Sequence, residues 1–441
     1  MFLFKNDYLN NTAIIDGEGN YFTYKKIKSL ISDFSKYLSE RSLAFILVSN
    51  DLESVVSYLS FLDKNHVILL LSDDIKDKYL NNLINIYEPK YIFSNREKIY
   101  NFEKKGIFKR KKLHINNNYK TIKLHKELSI LLTTSGSTGS PKLVKITNKN
   151  IMANARSIAS YLNITSNERS ITSLPFHYSY GLSVINSQLT QGGSIVLSNN
   201  SMFEKNFWSN VNKHKVTNIA GVPYNYEILL KLGINKLNIK TVKFMTQAGG
   251  KLNDEKIQKL NIDFKAKNIK FYIMYGQTEA TARMAYLPYK DIELKKNSIG
   301  VPIPNGEIWL ENDNGKLITE EMVIGELIYK GPNVSMGYAN SKKDLENGDI
   351  NKGILRTGDL AYFDNDGYFY IKGKNTRFIK IFGHRVSLDS IEELITAKGY
   401  EVAVSGEENK VFIYLKHMIN FPKEFFYRRI IKRTNIKHER C

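Results

Sequence analysis

Short apolar runs separated by amphipathic stretches set the rhythm of the first part of the chain. Leu43 to Val48, His66 to Leu71 and Tyr91 to Phe93 are strand-length segments in which nearly every residue is apolar. Such runs suit strands covered on both faces. Glu53 to Leu62 carries its apolar residues at helical spacing, so strands and helices alternate and an α/β fold with a mostly parallel sheet is predicted. Farther on, Lys142 to Thr147 reads as a strand. Ile151, Met152, Ala155, Ile158, Ala159 and Leu162 then recur at the spacing of one buried helix face. From about Ile299 to Tyr370 the pattern becomes short strands broken by Gly, Asn and Asp, as in Gly325 to Tyr329 and Gly367 to Ile371, and predicts a small β-rich subdomain. Beyond Gly373 the order is strand (Phe378 to Phe382), helix (Ser387 to Ala397) and two strands (Val402 to Val404, Val411 to Leu415) before a basic tail. A domain boundary is expected at 373–376, giving domains 1–373 and 374–441.

Composition narrows the function class. With 441 residues and 42% hydrophobic content the chain can bury a large core. Its apolar runs, such as Leu43 to Val48 and Val67 to Leu71, are far too short to span a bilayer, and the first residues do not form a signal peptide, so a cytoplasmic protein without a membrane span is expected. Cys441 stands alone, which excludes an intrachain disulfide and a cysteine metal cluster. The net charge of +20 (64 basic less 44 acidic residues) comes from lysines scattered among Asn and Ile. Without interleaved aromatics this argues against nucleic acid and leaves an acidic partner surface open. The densest basic segment, Lys104 to Lys112, is read as a solvated loop.

The most informative chemistry lies in Leu131-Leu132-Thr133-Thr134-Ser135-Gly136-Ser137-Thr138-Gly139-Ser140-Pro141-Lys142, an apolar strand running into a glycine- and hydroxyl-rich turn that ends in a lysine. Gly136 and Gly139 let the backbone approach an anion, while Thr134, Ser135, Ser137 and Thr138 offer hydroxyls and Lys142 a positive charge. Read alone, the segment is equally a flexible Ser/Gly surface turn or a polyphosphate cradle. It is no Walker loop, because Lys142 follows Pro141 instead of opening a helix.

Further segments fall in order behind it: Tyr275-Gly276-Gln277-Thr278-Glu279, Arg356-Thr357-Gly358-Asp359-Leu360 ahead of Asp366-Gly367-Tyr368, and Ile379 to Val386. Together they resemble the ordered core motifs of the adenylate-forming (AMP-binding) superfamily, which includes acyl- and aryl-CoA synthetases, luciferases and adenylation domains. The resemblance implies a large N-terminal α/β domain of two mostly parallel sheets with helices and a β-rich subdomain, followed by a small α+β lid. It implies ATP- and Mg²⁺-dependent attack of a carboxylate on the α-phosphorus, with pyrophosphate leaving.

By that resemblance Thr134 to Gly139 and Lys142 hold the departing phosphates, Thr278 binds the α-phosphate, and Glu279 holds the metal. Tyr275 stacks on adenine with Ala248, Gly249 and Gly250 opposite, and Asp359 takes the ribose hydroxyls. Pro175-Phe176-His177-Tyr178-Ser179-Tyr180-Gly181-Leu182 matches the acyl-pocket segment of the acyl- and aryl-CoA branch, with His177 at the gating position. It contains no acid to pair with a substrate ammonium, so a fatty, aryl or other acyl carboxylate is expected over an α-amino acid. Tyr178, Tyr180, Val222, Gln247 and Gly276, with Gln188, Pro223 and Tyr224, are candidate pocket lining.

Three features depart from the family's pattern. Leu143 replaces a glycine after the phosphate lysine, and the hinge reads Gly373-Lys374 then Thr376 where Gly-Arg then Asp or Lys is usual. Lys374 keeps the charge near ribose but lacks the planar fork of arginine. The family's C-terminal Gly-Lys segment, whose lysine supports adenylation, has no counterpart here. The expectation is therefore an acid–thiol ligase that passes its acyl group to CoA or to the phosphopantetheine arm of an acyl carrier protein. The alternative is a nucleotide-binding member impaired in catalysis.

Overall fold

The computed structural model describes residues 6–133, 142–374, 378–381, 384–396, 400–407 and 410–415. The described chain divides into two compact units. One comprises the residues up to Ile308 together with Tyr329–Leu355; the other comprises Trp309–Ile328 and the residues from Arg356 onward.

The first unit holds two sheets. In the eight-stranded sheet the order is Tyr338–Ala339, Leu143–Thr147, Leu128–Thr133, Val67–Ser72, Leu43–Val48, Tyr91–Ser94, Lys111–Ile115 and Glu103–Phe108. Its centre is parallel and both margins are antiparallel. The apolar runs fold as they do because both faces are covered. Ala44, Ile46 and Val48 enter a core shared with helices Tyr24–Ser35, Leu52–Asp63 and Ser179–Thr190, while Leu43, Phe45 and Leu47 enter another under helix Asp77–Tyr87. Nine strands form the other sheet, in the order Val301–Pro302, Ala285–Leu287, Lys270–Tyr275, Phe244–Gln247, Asn218–Gly221, Arg169–Ile171, Ser194–Val196, Thr12–Ile15 and Tyr21–Thr23. Its five central ladders are parallel.

Local chemistry sets the helix starts. The Asp51 side chain accepts the Ser54 N–H at 2.7 Å ahead of Leu52–Asp63. Thr147 and Asn150 cap Asn148–Leu162 reciprocally, so that helix begins directly at the end of the Leu143–Thr147 strand.

A five-stranded sheet has the order Leu317–Ile318, Glu307–Glu311, Gly325–Lys330, Ile354–Phe363 and Phe369–Lys374. Farther along are two short hairpins, Phe378–Ile381 with His384–Ser387 and Val402–Glu407 with Lys410–Leu415, and the helix Leu388–Thr396. Among the described residues no helix is long and apolar enough to cross a membrane.

The basic segment departs from expectation. Lys104 to Lys112 is a β-hairpin, not a solvated loop: Glu103–Phe108 pairs with Lys111–Ile115, which in turn pairs with Tyr91–Ser94. Strand alternation turns Lys111 inward, and it is only 3% exposed. Its ammonium donates to the Leu47 carbonyl at 2.9 Å and the Ser54 hydroxyl at 3.0 Å, and lies 3.2 Å from Asp51 and 3.6 Å from Asp73. A paired cation thus occupies a position that counting charges assigns to the surface.

Candidate active site

Strands Asn218–Gly221, Phe244–Gln247 and Lys270–Tyr275 run parallel in register, Gly221 beside Gln247 and Gln247 beside Ile273. Their carboxyl ends therefore deliver Val222, Ala248-Gly249-Gly250 and Tyr275-Gly276-Gln277-Thr278-Glu279 to one edge of the sheet, the usual place for ligands in such folds. Gly249 has φ +79°, and a Cβ there would meet the Tyr178 hydroxyl at 2.6 Å and Val222 at 3.1 Å. Tyr178, Tyr180, Val222 and Ala248 share one cluster of packed side chains. The pocket residues expected from distant parts of the sequence are thus neighbours.

After Tyr275 the chain makes a tight turn. Thr278–Ala280 is a short 3₁₀ helix, followed by Thr281 at φ +65°, an unusual conformation for a β-branched residue. A loop from elsewhere in the unit holds it there. The Asn333 amide donates to the Ala280 and Arg283 carbonyls at 2.8 and 3.0 Å, and the Thr281 hydroxyl donates to the Asn333 carbonyl at 2.7 Å. Asn154 adds a bond to the Arg283 carbonyl at 3.0 Å. Gly276 is required by the same turn, since a Cβ would lie 1.8 Å from the Ala282 carbonyl oxygen.

Tyr338 links the two charged residues expected to handle phosphate and metal. Its hydroxyl donates to Glu279 Oε1 at 2.7 Å, and the Lys142 ammonium lies 3.3 Å from the centroid of its ring. Tyr338 is placed by pairing its strand with Leu143–Thr147, directly after Lys142. Thr278 Oγ1 lies 3.2 Å from the hydroxyl of Ser179, the first residue of helix Ser179–Thr190. Lys142, Thr278 and Glu279 therefore belong to one constellation with Tyr338 and Ser179. Neither of the latter two is assigned a role from sequence. The signal for Tyr338 was the turn-rich Gly331-Pro332-Asn333 followed by Gly337-Tyr338; only strand pairing shows where it goes.

His177 is half-buried, its Nδ1 has no hydrogen-bond partner among the described residues, and burial pushes its pKa below the usual histidine value against the opposing charge of Asp74. The Gln247 side chain turns back to donate to the Gly250 carbonyl at 2.8 Å, and Gln277 donates to the Tyr275 hydroxyl at 3.3 Å. Gln188 lies apart from the pocket, fully buried, with its amide donating to the Ser170 hydroxyl at 2.9 Å. Tyr224 is 62% exposed against Phe203.

In the second unit Asp359 pairs with Lys374 across adjacent antiparallel strands, carboxylate to ammonium 3.1 Å. The Asp359 side chain is buried and that of Lys374 largely exposed. Thr134, Ser135, Gly136, Ser137, Thr138, Gly139 and Thr376 lie outside the described residues.

Comparison with known proteins places the chain in a family. The family model for AMP-binding enzymes matches residues 4–339. The chain is 29% identical over 289 residues to the 2-succinylbenzoate–CoA ligase of Bacillus subtilis, covering 65% of this chain and 57% of that ligase. It is 28% identical over 395 residues to the long-chain-fatty-acid–CoA ligase of Escherichia coli O157:H7, covering 85% of this chain and 68% of that one. The chain thus spans under two thirds of the first of these relatives. Among solved structures, O-succinylbenzoate coenzyme A synthetase from Bacillus subtilis in complex with AMP superposes with a TM-score of 0.77 at 23% identity, over 95% of this chain and 89% of the other. On the extent of the family match and the shared fold, this chain belongs to the family of AMP-binding enzymes.

Proposed function

We propose that the protein joins a small-molecule carboxylate to the AMP portion of ATP, releasing pyrophosphate, and then passes the acyl group to a thiol. The observation that carries this reading is the convergence of Lys142, Thr278 and Glu279 on Tyr338 and Ser179, where the edge strand Tyr338–Ala339 of the eight-stranded sheet meets the turn after Lys270–Tyr275 of the nine-stranded one. A cation, a hydroxyl and a carboxylate held together suit a triphosphate that must be oriented for in-line attack. Lys142 sits on an aromatic face, an interaction that an incoming phosphate outcompetes. Thr278 and Ser179 present two hydroxyls to the α-phosphate.

Among the described residues there is no cluster of three or more side chains able to hold a metal. The half-buried Glu279 carboxylate suits magnesium, which is content with one carboxylate beside phosphate oxygens and water. The bound ion would neutralise phosphate charge. With its pKa depressed by burial, His177 is neutral at pH 7 and serves as an uncharged gate to the acyl pocket. Asp359 and Lys374 would take the ribose, and Lys374 and Thr376 would serve as the hinge between the acyl-adenylate and thiol-transfer steps. The relatives' names support CoA as the acceptor. They lend no support to the alternative of a nucleotide-binding protein impaired in catalysis.

The test is ATP-dependent pyrophosphate release across acyl, aryl and amino acids, with Glu279→Gln and Lys142→Ala as controls. Thioester formation is then followed with CoA and with a carrier protein bearing phosphopantetheine. Release with at least one acid, lost in both controls, is expected. ATP binding without release for any acid would overturn the reading.

A further inference from the structure

Arg283 is among the largest fully buried side chains, only 2% exposed. It lies five residues past Thr278, and its backbone packs against Gly276, where a Cβ would be 2.8 Å from the Arg283 Cα. The guanidinium stacks on Tyr180, 4.5 Å from the ring centroid, and Nη1 donates to the Tyr161 hydroxyl at 3.3 Å. Among the described residues Nη2 has no hydrogen-bond partner and no carboxylate pairs with the group. A guanidinium always carries its charge, so it cannot escape burial by losing a proton. Aromatic faces and one phenol only partly compensate it.

The surroundings show where the missing anion would come from. Tyr180 and Tyr178 belong to the cluster that forms the expected acyl pocket, and the positive charge of Arg283 opposes the upward push of burial on both phenols. Ser179, which touches Thr278, and Tyr180, which carries Arg283, are consecutive at the start of one helix. The residue expected at the activated carboxylate and the buried cation are thus contacted by neighbouring residues of one helix.

Resting on the function proposed above, we infer that Arg283 is the specificity residue of the acyl pocket and pairs with a second carboxylate at the far end of the substrate. The acid activated is then a short dicarboxylate, engaged by the fork of Arg283 through Nη2. The same cation repels the ammonium of an amino acid.

The test pairs acids of equal length: succinate, glutarate and adipate against butyrate, valerate and hexanoate, with the half-amide succinamate. Pyrophosphate release and ligand-induced shifts in melting temperature are measured on the wild type, Arg283→Gln and Arg283→Lys. The wild type should favour at least one dicarboxylate over its monocarboxylate partner by roughly a hundredfold in kcat/KM. Arg283→Gln should lose that preference without losing ATP binding and should gain on succinamate relative to succinate, while Arg283→Lys falls between. Equal use of both acid classes by the wild type, or an equal fall on both in Arg283→Gln, would overturn the inference while leaving adenylation intact. If no acid releases pyrophosphate, the melting shift still decides: stabilisation by a dicarboxylate that Arg283→Gln abolishes supports the anion site alone, and no stabilisation by any dicarboxylate removes it.

Discussion

Tyr338→Phe is the sharpest probe of the site, because one ring makes two separable contacts. Burial and the neighbouring Glu279 carboxylate raise the phenol pKa far above its ordinary value, so the hydroxyl remains a donor at every workable pH. Phenylalanine removes the 2.7 Å bond to Glu279 and keeps the face under Lys142. A hydrogen bond to a charged group is worth about 1.5–3 kcal/mol when buried, and the half-buried setting places this one near about 1–2 kcal/mol. That is roughly a five- to thirtyfold loss in kcat/KM for ATP. Tyr338→Leu should lose the cation–π contact as well, a further cost of about 0.5–2 kcal/mol. The assay is pyrophosphate release with ATP and magnesium varied independently. For Phe we expect a higher magnesium requirement, since Glu279 loses the bond that orients it, and for Leu a higher KM for ATP in addition. Wild-type behaviour of the Phe variant, or identical defects in Phe and Leu, would refute the division of roles.

Three further outcomes follow from the packing. Gly276→Ala should cost about 3 kcal/mol or more, because its Cβ would meet a fixed backbone carbonyl at 1.8 Å, whereas Gly358→Ala, at φ +69° with open space around it, should cost only about 1 kcal/mol; paired thermal melts compare them. Lys111→Met should destabilise by about 3–5 kcal/mol by stripping the cation from Asp51 and Asp73. Because burial already raises the Asp73 pKa, that deficit should shrink on acidification as the carboxyl takes up a proton; urea melts at several pH values measure it. His66 is fully buried, and its pKa is pushed down to about 4. The unfolded chain binds a proton near the ordinary value of 6.5 while the folded chain resists it, so stability should fall as pH drops from about 6.5 to 4, by up to about 3 kcal/mol. Denaturation curves for His66→Gln should show a flatter profile over that window.

How much of this was legible in the sequence depends on the range of the forces involved. The strands Leu43–Val48 and Val67–Ser72, the helix Leu52–Asp63 and the strand-to-helix step at Thr147 follow from periodicity and capping, which act over a few residues. The family was legible because its motifs demand particular residue types within single turns. Three things were not. Lys111 counts as a surface charge until a hairpin turns it toward Asp51 and Asp73. Tyr338 acquires a role only when its two-residue strand pairs beside Leu143. Arg283 looks like any charged residue after a turn until Asn333 and Asn154 fix that turn and bury its guanidinium on Tyr180. The sequence by itself therefore determined which local elements form and which residue types could face a nucleotide. Only the tertiary structure decided which distant side chains meet, because burial and pairing are set by contacts between segments that no local spacing encodes.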